Sequence, residues 1–502
     1  MIRIEKAGLL SAGYGFWISL LLLLLVMGCS GGGFTSSSPT PRDLSGNVTE
    51  NGLPLAGVTI TISGSTSRSA VTDTNGHYLF SSLDDGTYVL TATFAGYNFS
   101  PPAYTVTMSG ADGTANFIGT SVGIISTTLH TVYMSNLLTL STWGNNNHGQ
   151  IGDGTTSGNE LTPYVLPNMT LMSSVAAGDE HTVALAFGTI WAWGSNSNGQ
   201  LGNGLSGEDE PLPVQVLTQL GPILTGSVAI AAGNAHTLSA MVDGTVWAWG
   251  SNSNGQLGDG TIVDESLPVQ VLTGPGTILT GIVAVAAGHQ FSMALRNDGT
   301  IWTWGSNYSG QLGDGDGTTP PTYNTSNDSP YAVQVQALTS TGLIPLSGVT
   351  AISAGHDHVT GKGTAHAMAL TIDGKVWAWG SNVNGELGDG TTTDRTAAVQ
   401  VSGLTSMLSI AAGDDHSAAV KGDGTVWTWG NNSKGQLGDG TTVSRLLPAQ
   451  VAGLGNLMTV ATGYKNTIVR KKNGAMWAWG NNSNGQLGNG NTTDQPTPVQ
   501  IQ

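Results

Sequence analysis

The sequence predicts an all-β protein whose main body is a seven-bladed β-propeller, preceded by a small β-sandwich. Three observations carry this. Glycine fills 74 of 502 positions while charged residues make up only 9%, a composition that suits short strands and tight turns rather than solvated helices. The step Trp-Gly recurs at Trp143, Trp193, Trp249, Trp304, Trp379, Trp429 and Trp479, a basic period of about fifty residues. Between one step and the next lie four strand-length segments, such as Pro213-Val214-Gln215-Val216, Ser227-Val228-Ala229-Ile230, His236-Thr237-Leu238 and Thr245-Val246-Trp247-Ala248-Trp249.

Residues 1–28 read as an export signal. Arg3 and Lys6 precede an apolar run that culminates in Leu20 to Leu25, followed by Val26-Met27-Gly28-Cys29. This resembles a bacterial lipoprotein signal with its lipobox, in which the chain is cut before the cysteine and the thiol carries a diacylglycerol. Cys29 is the sole cysteine of the chain, so the resemblance implies lipidation at Cys29, a lipid-anchored place in the cell envelope and no disulfide in the mature protein. The alternative is an uncleaved membrane anchor from Ala7 to Gly28. Both readings put the body outside the cytoplasm.

Residues 29–42, rich in Gly, Ser and Pro, have the composition of a flexible spacer. From 43 to 121 apolar residues alternate, as in Val58-Thr59-Ile60-Thr61-Ile62 and Tyr78-Leu79-Phe80, and Asn51-Gly52, Asn75-Gly76 and Asp85-Gly86 punctuate them as turns of tight hairpins. A compact antiparallel sandwich is expected. The phrases LPLAGVTITISG, TDTNGHYLF and LDDGTYVLTATFAGY resemble carboxypeptidase-regulatory-like and collagen-adhesin B-type domains, which implies a stalk or spacer module. No lysine occurs between Lys6 and Lys362, so the Lys-Asn isopeptide bond of some adhesin relatives is excluded here. Asp73-Thr74-Asn75-Gly76 lacks the later bidentate Glu of an EF-hand and is read as a hairpin turn rather than a calcium loop.

Residues 122–502 hold the repeats. Repeating a four-stranded blade radially leaves only short, protected sheet edges. The two indoles of each VWAWG phrase occupy alternate strand positions and so share a face, where both are expected to pack between blades. The phrase AAGDEHTVALAFGTIWAWGSNSNGQLGNG resembles the regulator-of-chromosome-condensation repeat family, and all seven units match. The recurrent Asp153, Asp259, Asp314, Asp389 and Asp439, replaced by Asn203 and Asn489 in two units, read as turn residues rather than cation ligands. His130, His181, His236, His366 and His416 share a position that Phe291 and Asn466 fill elsewhere, which indicates structural hydrogen bonding rather than catalysis. Ring closure, strand-swapped or blade by blade, is left open.

Formal net charge is −17 with scattered Lys and Arg, which excludes nucleic acid as a partner. Spacings between Trp-Gly steps are 50, 56, 55, 75, 50 and 50, and specificity is expected in the longest interval. Its candidate partner-binding residues are Asp314, Asp316, Asn327 and Asp328 in one insertion and His356, Asp357, His358 and Lys362 in another. Either His358 or His366 keeps the repeat register. His356 and His358 are weak metal candidates, but their spacing fits no standard zinc motif. No cofactor is expected and no paired nucleophile and base stands out. The expected function is a non-catalytic, monomeric envelope protein that binds a protein or surface ligand. The repeat resemblance implies two alternatives, guanine-nucleotide exchange and propeller-type enzyme inhibition; the acidic balance and the export signal weigh against exchange.

Overall fold

The computed structural model describes residues 41–501, apart from 51–52, 55–57, 74, 94–96, 101–102, 122–123, 136–138, 171, 316–326 and 357–364. Among the described residues every regular element is a strand, as Gly-rich, charge-poor composition dictates. The leader and Cys29 lie outside the described residues.

Two sheets make the first unit. One runs in hydrogen-bonded order Arg68–Val71, Thr59–Gly64, Gly86–Thr93, Ala103–Met108. The other is built round Arg42–Glu50, which pairs with Leu53–Pro54, His77–Leu83, Gly113–Thr114 and Phe117–Ser121. Alternation buries Ile60, Ile62, Tyr78 and Phe80 in one core, and the Tyr78 hydroxyl reaches the Ala115 carbonyl at 2.6 Å. Two expectations need correcting. The sandwich is mixed, because Gly113–Thr114 and Phe117–Ser121 run parallel to Arg42–Glu50; they reach it by crossing from the opposite sheet, which a hairpin cannot do. The Asn75-Gly76 and Asp85-Gly86 turns also pass between sheets rather than closing hairpins. At the first, Asp73 Oδ1 accepts from the Asn75 and His77 amides, both at 2.9 Å, so that carboxylate is spent on the turn.

The remainder forms seven sheets, each containing four consecutive strands in sequence order. Ser174–Ala177, His181–Ala186, Thr189–Gly194 and Glu210–Gln215 are the four strands of the second blade. The short first strands of blades two to seven, most of them rich in Ala, line the axis, and the fourth strands lie at the other edge of each sheet. In the fifth blade an extra hairpin, Gln336–Thr339 with Gly342–Pro345, joins the fourth strand Arg395–Gln400 through one parallel pairing. The sequence reading missed it as a source of the 75-residue interval. A smaller hairpin, Leu272–Gly274 with Thr277–Ile278, lengthens the interval before the fourth blade.

Each blade is clamped to the next by one backbone carbonyl. In the Asn-Gly-Gln-Leu-Gly connection after the third strand, the Gln carbonyl faces the following blade and accepts two bonds. The Trp249 indole and the Thr237 hydroxyl both donate to Gln200 O, at 2.9 and 2.8 Å. The same fork recurs around the ring and closes it, since Trp143 and Thr131 of the first blade donate to Gln486 O of the last at 2.9 and 3.0 Å. Closure is therefore blade by blade. Glycine is required beside the clamp: Gly202 has φ +66°, and a Cβ there would lie 2.7 Å from Trp249 Nε1.

The Trp of each Trp-Gly step is wholly buried, and fourth-strand register slips at that step, as between Ala248 and Gly250. This bulge turns the indole sideways towards the preceding blade. The other Trp of each phrase behaves differently from expectation. Trp247 and its counterparts are only partly buried at the margins of the same clusters, because two residues back along a strand is roughly 7 Å nearer the ring's edge.

Trp249→Ala is therefore expected to destabilise the ring by about 3–5 kcal/mol, through lost packing and an orphaned Gln200 carbonyl. Trp247→Ala should cost clearly less. Urea unfolding of the two variants side by side measures the difference.

Candidate functional site

Topology fixes two distinct ends. First strands run away from the end where the chain enters at Ile124, second strands return, third run away and fourth return, finishing at Gln500. The first-to-second and third-to-fourth connections therefore share the distal end, and the sandwich joins the ring at the entry end. This arrangement sorts charge. Nineteen of the ring's 23 described carboxylates belong to the distal end, against four Lys/Arg there: Arg395, Lys434, Arg445 and Lys465. The entry end has Asp243, Asp298, Asp373 and Asp423 against Arg296, Lys375, Lys421, Arg470, Lys471 and Lys472.

At the axis of the distal end one repeat position converges. The residue after the Ala-Gly step is Asp179, Asn234, His289, His356 and Asp414 in blades two to six, and the same register holds Tyr464, after Thr-Gly, in the seventh and Thr128 in the first. His356 Nδ1 lies 3.1 Å from Asp179 Oδ1, a contact between the fifth and second blades that spans the channel. His289 Nε2 stands 4.0 Å from Asp179 Oδ2 and 2.9 Å from Asn234 Nδ2. Beneath lies a cavity of about 340 Å³ lined by Val175–Ala177, Ile230–Ala232 and their equivalents. It is polar despite its alanines, because the free edge of each first strand turns alternate N–H and C=O groups to the axis. The sequence signal for this convergence is chemical variety at one register between repeating neighbours, in AAGDEH, AAGNAH, AAGHQF and AAGDDH.

The candidate residues fall in different places. His356 is in the axial group. Asp314 lies in a third-to-fourth connection and bridges to Ala397 of the next blade. Asp328 is structural: Oδ1 accepts from the Asn307 amide and Oδ2 from Asn254 Nδ2 of the preceding blade, both at 2.9 Å. Asn327 is exposed beside it. Asp316, Asp357, His358 and Lys362 lie outside the described residues. Both insertions, however, leave the ring and return at its distal end, from adjacent blades. Among the described residues no group of three or more His, Cys, Asp or Glu side chains is arranged to hold a metal ion.

The recurrent acids are turn residues. Asp153, Asp259, Asp389 and Asp439 each accept an amide bond from the residue two positions on, at 2.9 to 3.0 Å. Asn203 does the same for Leu205 at 3.1 Å; one oxygen suffices, so Asp and Asn interchange.

The repeat histidines belong to the clamp. His130, His181, His236, His366 and His416 each place Nε2 within 2.7–3.0 Å of a Thr or Ser hydroxyl on the following blade. His366 is thus the repeat histidine of the fifth blade. Where the hydroxyl spends its proton on the Gln carbonyl, as Thr237 does, the imidazole must donate, which requires the neutral Nε2–H form. Burial enforces it, pushing His130, His236, His366 and His416 down to about 3 and His181 to about 4. In the fourth blade Phe291 replaces the histidine and its partner position is Ala367, an apolar pair in one core cluster. The fifth blade carries Glu386 where the others have Gln. Its carboxyl takes a bond from the Ser381 hydroxyl at 3.0 Å and one from the Asn384 amide at 2.7 Å, yet burial pushes it up to about 7.

Residues 139–502 match the RCC1-like domain, nearly three quarters of the chain. The chain belongs to the RCC1-like domain family. Residues 43–119 match the carboxypeptidase regulatory-like domain. Among curated relatives of this RCC1-like chain, the ultraviolet-B receptor UVR8 of Arabidopsis thaliana is 32% identical over 277 residues, 54% of this chain and 56% of that protein. The human E3 ubiquitin-protein ligase HERC2 is 30% identical over 268 residues, 52% of this chain but 5% of its own length. Human WBSCR16 shares the fold at a TM-score of 0.60 and 22% identity, over 72% of this chain and 94% of that one. Yeast RCC1 (Prp20), solved bound to Kap60, does so at 0.59 and 22%, over 74% and 85%.

Two pH dependences of opposite sign follow. The buried histidines have folded values below 6.5, so the unfolded chain takes up protons the fold refuses, and stability falls as pH drops from 6.5 towards 3. The double substitution His236→Phe/Ser292→Ala copies the fourth-blade pair. It should keep the ring folded and make the fall of stability below pH 6.5 shallower by one proton, read from urea midpoints across pH. Glu386 has a folded value above 4.5, so its contribution is lost as pH rises through 7. Glu386→Gln is expected to stabilise the ring by on the order of 2–3 kcal/mol at pH 8 and by little at pH 5; equal effects at both pH values would contradict the buried-acid assignment.

Proposed function

We propose that this RCC1-like chain is an exported, lipid-anchored binding protein of the bacterial cell envelope that recognises a positively charged protein partner with the distal end of its ring. The observation that carries this reading is the sorting of charge: nineteen carboxylates face four Lys/Arg at that end, and near balance holds at the other. Such a field steers basic partners and raises association rates. Both large insertions depart from the same end, and the sandwich joins the ring at the opposite one. The lone cysteine in the lipobox supports the anchor. Yeast RCC1 (Prp20), which shares this fold, was solved bound to Kap60, and protein binding in general is what we carry over. The ligase activity named for HERC2 is not carried over, because the match spans 5% of that protein.

Two measurements test the reading. Association with basic envelope proteins should weaken steeply with salt and with Glu208→Lys, which reverses an exposed distal charge; salt-insensitive capture unaffected by Glu208→Lys would remove the distal end as the recognition face. Cys29→Ser should shift the protein from the membrane fraction to the soluble one, and retention at the membrane would remove the lipid anchor.

A further inference from the structure

The four consecutive strands of each blade end on the fourth, and a bare strand edge is a template for pairing with another chain. One register governs that edge. Aligned on the third strand, the residue before Val214 in the second blade is Pro213, and its counterparts are Pro163, Pro268, Pro448 and Pro498 in the first, third, sixth and seventh. The fourth and fifth blades have Ala332 and Ala398 instead. The backbone here faces away from the third strand: two residues earlier, the carbonyls of Pro211, Pro330 and Pro496 accept from Gly154, Gly260 and Gly440 of the preceding blade at 3.1, 3.0 and 2.9 Å, and residues two apart on a strand turn their N–H and C=O to the same side. A proline at this register removes the outward N–H and leaves the bonds to the third strand intact.

Where the proline is missing, the chain supplies a cover. In the fifth blade the hairpin of Gln336–Thr339 and Gly342–Pro345 lies on the edge of Arg395–Gln400, and its single pairing, Ala337 with Ala398, falls on the register that lacks proline. In the fourth blade the hairpin of Leu272–Gly274 and Thr277–Ile278 lies against Ser329–Gln334, and Leu279, just after it, packs in one cluster with Ala332. Both alanines are buried, whereas Pro163, Pro213, Pro448 and Pro498 stay partly exposed. The sixth and seventh blades, which keep the proline, are reached by short turns with no hairpin.

We propose that the fourth-strand edges of blades four and five are strand-pairing surfaces, that the two hairpins are their covers, and that the partner of the fifth-blade edge, once bare, is the same edge of a second copy of this chain. Like edges of identical copies meet about a two-fold axis, so the pairing is antiparallel and uses Ala398 N–H on both sides. Proline protects the other blades by deleting that donor, and the hairpins protect these two by occupying or shielding it. This inference is independent of the distal end being the recognition face.

The next blade shows how a cover can be removed cleanly. Val401-Ser402-Gly403-Leu404 links the fifth blade to the sixth, and Val335 and Leu346, buried like Val401 and Leu404, hold the same registers on either side of the fifth-blade hairpin. In the full chain, residues 336–345 are replaced by Ser-Gly, and the weight-average mass is followed by light scattering over rising protein concentration, with thermal melting of each variant. The excised chain is expected to melt cooperatively and to climb towards twice the wild-type mass, and adding Ala398→Pro should return it to the wild-type mass. Pro448→Ala, which gives the sixth blade the residue of the fifth with no hairpin above it, should self-associate in the same assay. An excised chain that melts cooperatively and keeps the wild-type mass overturns the proposal, as does association that Ala398→Pro leaves unchanged. If the excised chain does not melt cooperatively, Pro448→Ala decides alone, since it removes nothing from the fold, and a wild-type mass for it overturns the proposal.

Discussion

One acceptor holds this ring together. The carbonyl of the Gln in each third-to-fourth connection, or of Glu386 in the fifth blade, takes an indole N–H from the next blade. In every blade but the fourth, whose Gln311 carbonyl meets Ala367 of the fifth instead of a hydroxyl residue, it also takes an O–H. Fully buried tryptophans supply the packing, but packing alone is not directional. The bond fixes the angle at which one blade meets the next, and a ring closes only if that angle repeats. The glycines that flank the acceptor, the bulge at each Trp-Gly step and the small first strands all serve this geometry.

The histidines extend the clamp at a cost in pH tolerance. A neutral imidazole donates through Nε2 to a hydroxyl that donates to a carbonyl, a continuous chain in a low-dielectric interface, while its buried Nδ1 has no partner. Charging it breaks the chain, so the ring is stable only where its histidines stay neutral. The fourth-to-fifth interface dispenses with the device by making both positions apolar, Phe291 and Ala367, and the same two blades carry the largest insertions. Glu386 imposes the opposite slope, because its buried carboxyl favours the protonated form and its contribution is lost as pH rises from 4.5 to about 7. Over that range the histidines and Glu386 pull stability in opposite directions.

The candidate site was partly legible. His356 and the insertions were visible as departures from the repeat, and the topology places them at one end. Asp328 was not legible as structural, because its donor, Asn254, is 74 residues away and nothing local marks the bond. The axial group was hidden for a related reason: Asp179 and His356 are 177 residues apart and meet only because blades two and five face one channel.

The sequence by itself determined the all-β class, the repeat and the pairing of Trp with Gly, because each is a local pattern whose physics is local: strand period, turn chemistry and a buried aromatic. It also showed that sandwich strands alternate, but not that some run parallel or that its turns cross between sheets. Tertiary structure alone decided which residues share an end. Carboxylates scattered at intervals of about fifty residues along the chain gather at one face because every blade reverses direction at the same two levels. The charge that looked diffuse along the sequence is concentrated in space.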